Sequence, residues 1–210
     1  MRADAAKALA LGRRGAKLEG MRAVLLVLSL LAAMPVLAQT AQPPSGGPAA
    51  RKAELDRLFA LLAQAPDETA GAAVEARIRG VWAQAASPAV VLLMQRGRRN
   101  LQADADADAV EDFDAALVLQ PDFADAWLLR AAALSATGDN AAAARDVQQA
   151  LVLEPRRFDA LDLLARLQEQ SGDVAGALRS LQAAVVIHPK LAGGADRLRL
   201  LRQKVDGQAT

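Results

Sequence analysis

The 210-residue chain has no cysteine and no tyrosine, and only two Trp, four Phe and one His. Without cysteine there is no disulfide framework and no lipid-modified cysteine. A lone histidine cannot build a conventional zinc site, and it leaves no Ser-His-Asp triad of obvious spacing. Scarce aromatics and threonine argue against a sheet. Gly193–Gly194 lacks the Lys-Ser/Thr of a phosphate-cradling loop. What is plentiful is alanine and leucine, within an apolar share of 53%. That is the composition of closely packed helices, because alanine has the best helix propensity and lets helices approach.

The first 38 residues differ in kind. Met21–Arg22 precedes the apolar run AVLLVLSLLAA (Ala23 to Ala33), followed by MPVLA ending at Ala38. A basic start, a short apolar core and small residues at Val36 and Ala38 predict a secretory signal peptide cleaved after Ala38. The core is shorter than the roughly 20 residues that span a bilayer, so no stable membrane span is expected after cleavage; an uncleaved anchor is the alternative. Residues 1–20 form an overlong lead-in, and Met21 is a second candidate start. Arg13–Arg14 lacks the Phe-Leu-Lys of a twin-arginine signal. Residues 1–38 hold six basic and two acidic side chains, leaving 19 basic and 22 acidic in the remainder. That net charge of −3, with no basic stripe, argues against a nucleic-acid partner. The expected location is periplasmic or secreted.

Behind a flexible linker at 39–50 rich in Pro, Gly and Ser, the chain turns periodic. Leu55, Leu58, Phe59 and Leu62 follow i, i+3, i+4, i+7 spacing, and Val74, Ile78, Val81 and Trp82 mark a second amphipathic helix after Pro66–Asp67. This pair, over 51–86, is expected to cap the N-terminal end of a repeated region. Pro121, Pro155 and Pro189 fall 34 residues apart, a period that marks stacked helix–turn–helix units. The middle unit runs Trp127, Gly138–Asp139, Ala143, Val147, Ala150, Pro155. Its successor has Leu161, Gly172–Asp173, Ala177, Leu181, Ala184, Pro189, and its predecessor Leu93, Gly97, Ala109, Phe113, Ala116, Pro121. In the predecessor Asp104 takes the turn-glycine place, which suggests a looser turn. Each proline is expected to open the next helix with its fixed φ.

This pattern resembles the tetratricopeptide repeat in register over residues 88–188. The resemblance implies an all-α fold of antiparallel helix hairpins stacked into a short right-handed α-solenoid with helical caps. The repeats fall at 87–120, 121–154 and 155–188, followed by a capping helix at 189–205 and a tail at 206–210. Leu198 and Leu201 face inward on that helix, and Arg197, Arg199, Arg202 and Lys204 outward.

Several side chains stand out from the repeat. Arg96 and Arg130 occupy matching places, each with an Asp sixteen residues on, Asp112 and Asp146; in the third repeat both change, to Leu164 and Ser180. An Arg–carboxylate staple between paired helices fits that covariation. Asp104, Asp106 and Asp108 mimic the start of a calcium loop, but Ala109 and Ala115 stand where its glycine and glutamate belong. A solvated acidic turn is the better reading. His188, beside Pro189, reads as structural.

The resemblance also implies a partner-binding groove on the first helices of the repeats. Carried over by position, its residues are Val91, Met94 and Arg98, then Asp125, Leu128, Ala132 and Ser135, then Asp159, Asp162, Arg166 and Glu169. The expected function is a non-catalytic scaffold or adaptor that binds a protein or peptide, with no cofactor and no metal. A structural or accessory subunit of a cell-envelope assembly is the alternative.

Overall fold

The chain divides into two units, Met1–Gly47 and Pro48–Thr210, and the computed structural model describes residues 47–208. The expected signal peptide and most of the linker lie outside the described residues. Within them the chain is helical between short turns: α1 (Pro48–Ala63), α2 (Glu68–Ala83), α3 (Pro88–Gln102), α4 (Asp106–Leu119), α5 (Ala124–Ala136), α6 (Asn140–Leu153), α7 (Phe158–Gln170), α8 (Val174–Ile187) and α9 (Gly194–Gln208). α1 starts at Pro48, inside the expected linker, because proline suits a helix's first turn. α9 continues past 205 into the expected tail.

α3–α4, α5–α6 and α7–α8 are the three repeated hairpins, an all-α stack whose cores run on from one to the next. Val90, Met94 and Phe113 of the first hairpin pack with Phe123, Ala126 and Ala133 of the second. Leu128, Ala131 and Val147 of the second join Ala160 and Leu167 of the third. Ala165, Ala177 and Leu181 then meet Leu198 and Leu201 of α9, which closes the C-terminal end. Small residues set the crossing within each hairpin. A Cβ at Gly97 would lie 2.6 Å from the Phe113 ring, and the matching Ala131 and Ala165 are fully buried.

The Arg–Asp staples form as the sequence suggests. Arg130 donates from Nε to Asp146 Oδ2 at 2.7 Å and from Nη2 to Oδ1 at 3.0 Å, the bidentate geometry that gives such pairs their strength. Arg96 reaches Asp112, whose other oxygen accepts from Asn100 Nδ2 at 2.8 Å. In the third hairpin Ser180 Oγ donates instead to Gln168 Oε1 at 2.6 Å, while Leu164 packs in the apolar core.

Three expectations fail, two of them about the borders of the repeats and one about the first turn. Pro121, Pro155 and Pro189 do not open helices; each follows the C-cap of the preceding one, Gln120, Glu154 and His188. Those caps have φ of −147°, −140° and −124° with ψ of 82–99°, since a residue before proline is driven out of the helical region. The prolines stop helices. Of the prolines at the repeat borders, only Pro88 sits at a helix start, behind the N-cap Ser87.

The second failure concerns α1–α2, which does not cap the first repeat. Leu55, Leu58, Leu62, Ile78 and Trp82 pack instead on Phe158, Ala184, Ile187 and Leu191 of the third repeat and its exit turn. Aromatic and basic groups explain the choice. Trp82 lies between Phe59 and Phe158 at ring-centroid distances of 6.0 and 5.8 Å. Arg156 stacks over Phe59 at 4.5 Å and Arg157 over Trp82 at 4.2 Å, each within cation–π range. The second repeat offers Asp122 and Phe123 at those two places, so only the third provides the pair of arginines. His188, fully buried, meets Phe158 in a T-shaped contact at 5.1 Å between ring centroids and pairs Nε2 with Glu75 of α2 at 3.1 Å.

The first turn is as tight as the others. Asp104 adopts φ 55°, the left-handed place that Gly138 and Gly172 take at 92° and 83°. The N–H of Ala105 reaches Asn100 O at 2.9 Å and that of Asp104 reaches Leu101 O at 3.3 Å, a Schellman closure. The next residue is the N-cap: Asp139 and Asp173 accept from Ala142 and Gly176, whereas Ala105 has no side chain to do so. The first repeat thus carries its aspartate one residue early. Asp104→Gly with Ala105→Asp restores both places, and a cap alone contributes about 1 kcal/mol. The double variant should melt higher than the parent by roughly 2–4 °C, read by calorimetry.

Candidate binding groove

α3, α5 and α7 lie side by side on one face of the stack, and α2 adds a fourth wall beside them. Between them is an open cavity of about 490 Å3. Leu128, Leu129 and Ala132 of α5 and Leu163 of α7 form its floor, Gly80 and Ala83 of α2 its far side, and Arg79 and Arg98 flank its mouth. Gly80 lies in the last turn of α2, and a Cβ placed there would meet nothing within 4 Å. Glycine within a helix costs up to about 1 kcal/mol relative to alanine.

Arg157 anchors the wall. Its side chain is 4% exposed, with Nε and Nη2 each donating to Asp159 at 3.0 Å and Nη1 to Asp125. Its third partner is the Trp82 face. Burial works against the guanidinium charge, but Asp159 and Asp125 outweigh it and hold its pKa above the usual arginine range. Asp125 and Asp159 occupy matching places in successive repeats, so one cation ties α5, α7 and α2 together. Arg98 and Arg79 approach the same two carboxylates only at 3.7 and 3.9 Å, and both stay more than half exposed. Arg79 also pairs with Glu75 at 2.6 Å.

Of the eleven residues placed in the groove by position, five line the cavity: Arg98, Asp125, Leu128, Ala132 and Asp159. Met94 is instead core, packed with Val90 and Phe113, because the inner face of α3 turns into its own hairpin there. Val91 is half-buried, and Ser135 is occupied by a 3.1 Å bond to Asn140. Asp162 and Glu169 are claimed by Arg197 of α9, and Arg166 pairs back to Asp162 at 3.0 Å. The charged end is thus largely neutralised by the cap. Leu128 lines the cavity yet is buried, serving floor and core at once.

Position along the repeats does not reveal the residues contributed from outside them: Arg79, Gly80 and Ala83. Arg157 left one sequence signal, a charge at the register place that Phe123 fills in the second repeat and Leu191 after the third.

No family model matches this chain and no curated protein matches it, but solved structures do. The Sgt2 TPR domain of Aspergillus fumigatus superposes with a TM-score of 0.56 at 21% identity, covering 59% of this chain and 83% of that one. The TPR2B domain of yeast Sti1, in a pHsp70 complex, gives 0.52 at 23% identity, covering 58% and 99%. The Yersinia enterocolitica secretion chaperone SycD, in complex with a peptide of the translocator YopD, gives 0.55 at 19%, covering 60% and 98%. The fold is tetratricopeptide-like. No helix among the described residues is long and apolar enough to cross a membrane.

Removing Arg157 leaves two carboxylates at a low-dielectric junction with only the longer contacts of the half-exposed Arg98 and Arg79. Breaking a buried pair in this way costs about 3–5 kcal/mol. Arg157→Ala should lower unfolding stability by that amount in a denaturant titration. Arg157→Lys should recover little of it, since an ammonium has neither the bidentate fork nor the planar stacking face.

Proposed function

We propose that this protein is a non-catalytic scaffold that docks a segment of a partner protein in the cavity between α2 and the inner helices. The observation that carries the reading is the floor of Leu128, Leu129, Ala132 and Leu163, which the chain's own hairpin borders without filling. The missing side chain at Gly80 widens the space at a cost to helix stability, which fits a segment passing close to the α2 backbone. SycD and the Sti1 domain, whose folds this chain shares, are both described in complex with partners.

Export supports the same picture. We infer that the basic start, apolar run and small residues of Met21–Ala38 direct the chain to the periplasm, where the docked partner would be an envelope protein. N-terminal sequencing of the protein recovered from the cell envelope should begin at Gln39; a start at Met1 or Met21 would overturn that location.

Gly80→Trp tests the groove directly. The substitution points an indole into the cavity from an exposed helix position and disturbs no core contact, whereas changes at Met94 or Leu128 would break the core itself. Envelope proteins cross-linked to the parent should be lost from Gly80→Trp while its melting temperature is kept. Recovery of the same proteins by both forms would remove the groove from the mechanism.

A further inference from the structure

Val118, Val152 and Val186 are 78, 74 and 79% exposed. They stand 34 residues apart at one position of the outer helices α4, α6 and α8. Single exposed apolar residues need no explanation; the same bare valine in three successive repeats makes a row along the stack. Glu111, Arg145 and Arg179 stand seven residues before each valine, two turns away on the same face. None of the three has an ion-pair partner among the described residues. Between them and the valines the face is small or uncharged, with Ala115, Gln148, Gln149, Gln182 and Ala183, apart from Asp114, which pairs with Arg130.

The charge along this face changes sign from the first repeat to the third. With Glu111 at one end, Arg179 at the other and a valine in every repeat, the ends of the face are complementary to each other in reversed order, the condition for an isologous two-fold interface, and only Arg145 in the middle meets its own kind. We propose that this outer face pairs with the same face of a second copy of the chain, about a two-fold axis running along α6. Val118 then meets Val186 of the second copy, Val152 meets its own counterpart, and each Glu111 faces an Arg179.

The two Arg145 side chains flank the axis. That like-charge meeting keeps the association reversible. Three outer helices of 14 residues, about 21 Å long and no closer than about 9 Å apart, present roughly 600 Å2. Burying that area on both copies reaches the lower end of specific interfaces, about 1,200 Å2.

Sedimentation equilibrium on the full chain tests this. The parent should show a monomer–dimer equilibrium, weakened about tenfold or more by Val152→Glu, which sets two carboxylates at the axis. Glu111→Arg should weaken it too, and adding Arg179→Glu should restore it, a recovery that only reversed stacking gives. Leu200→Glu, on exposed α9 surface away from the row, should change nothing. Circular dichroism confirms that each variant is folded, and Val118→Glu asks the same question should Val152→Glu fail to fold. A monomeric mass at every concentration, a dimer indifferent to the valine-row variants, or a double charge swap no better than the single one would overturn the proposal.

Discussion

One buried cation holds the parts of this protein in register. Arg157 takes its charge out of water between two repeats, an arrangement stable only because two aspartates and an indole surround it. Each partner comes from a different element: Asp125 begins α5, Asp159 begins α7, and Trp82 ends the apolar stripe of α2. Loss of any one leaves the others with an uncompensated charge or an unfilled face. The repeats could stack through their alanines and leucines alone. The fourth wall of the groove exists because Arg157 and Arg156 give α1–α2 a place to dock.

Elsewhere the electrostatics follow the same logic with less at stake. Arg130 is 18% exposed and doubly bound to Asp146, while Arg96 is 58% exposed and shares Asp112 with Asn100. The first hairpin therefore has a second donor in reserve, and the middle one does not. At the far end Arg197 links α9 to Asp162 and Glu169. A cap on a repeat stack is in this way part of the binding face, since it decides which inner-helix charges remain available.

Much of the architecture was legible in the sequence because repetition makes it so. The 34-residue interval, the alanines at the crossings and the covarying Arg–Asp pairs each report a contact made within one hairpin or between neighbours. The docking of α1–α2 was not legible, because its helical periodicity shows which face is apolar but not which surface covers it. Leu55, Ile78 and Trp82 would have suited the open end of the first repeat equally well by pattern. Arg157 alone distinguished the two ends, as a charge in an apolar register. Groove residues assigned by position were half right for the same reason. Register places a side chain on the inner helix, but whether it faces the cavity, its own hairpin or the cap depends on neighbours such as Phe113 and Arg197.

Gly71 gives the hairpin's docking an unusual sensitivity. A Cβ there would lie 2.9 Å from His188 Cε1 and 3.0 Å from Lys190 Cβ, so the bare, buried backbone of α2 rests directly on the exit turn of the third repeat. The wall of the groove is seated at that point with no clearance for even one methyl group. Bulk added there would have to displace His188 or Lys190, or lift α2 from the exit turn. A helix that lines the cavity is therefore seated at a residue that does not line it.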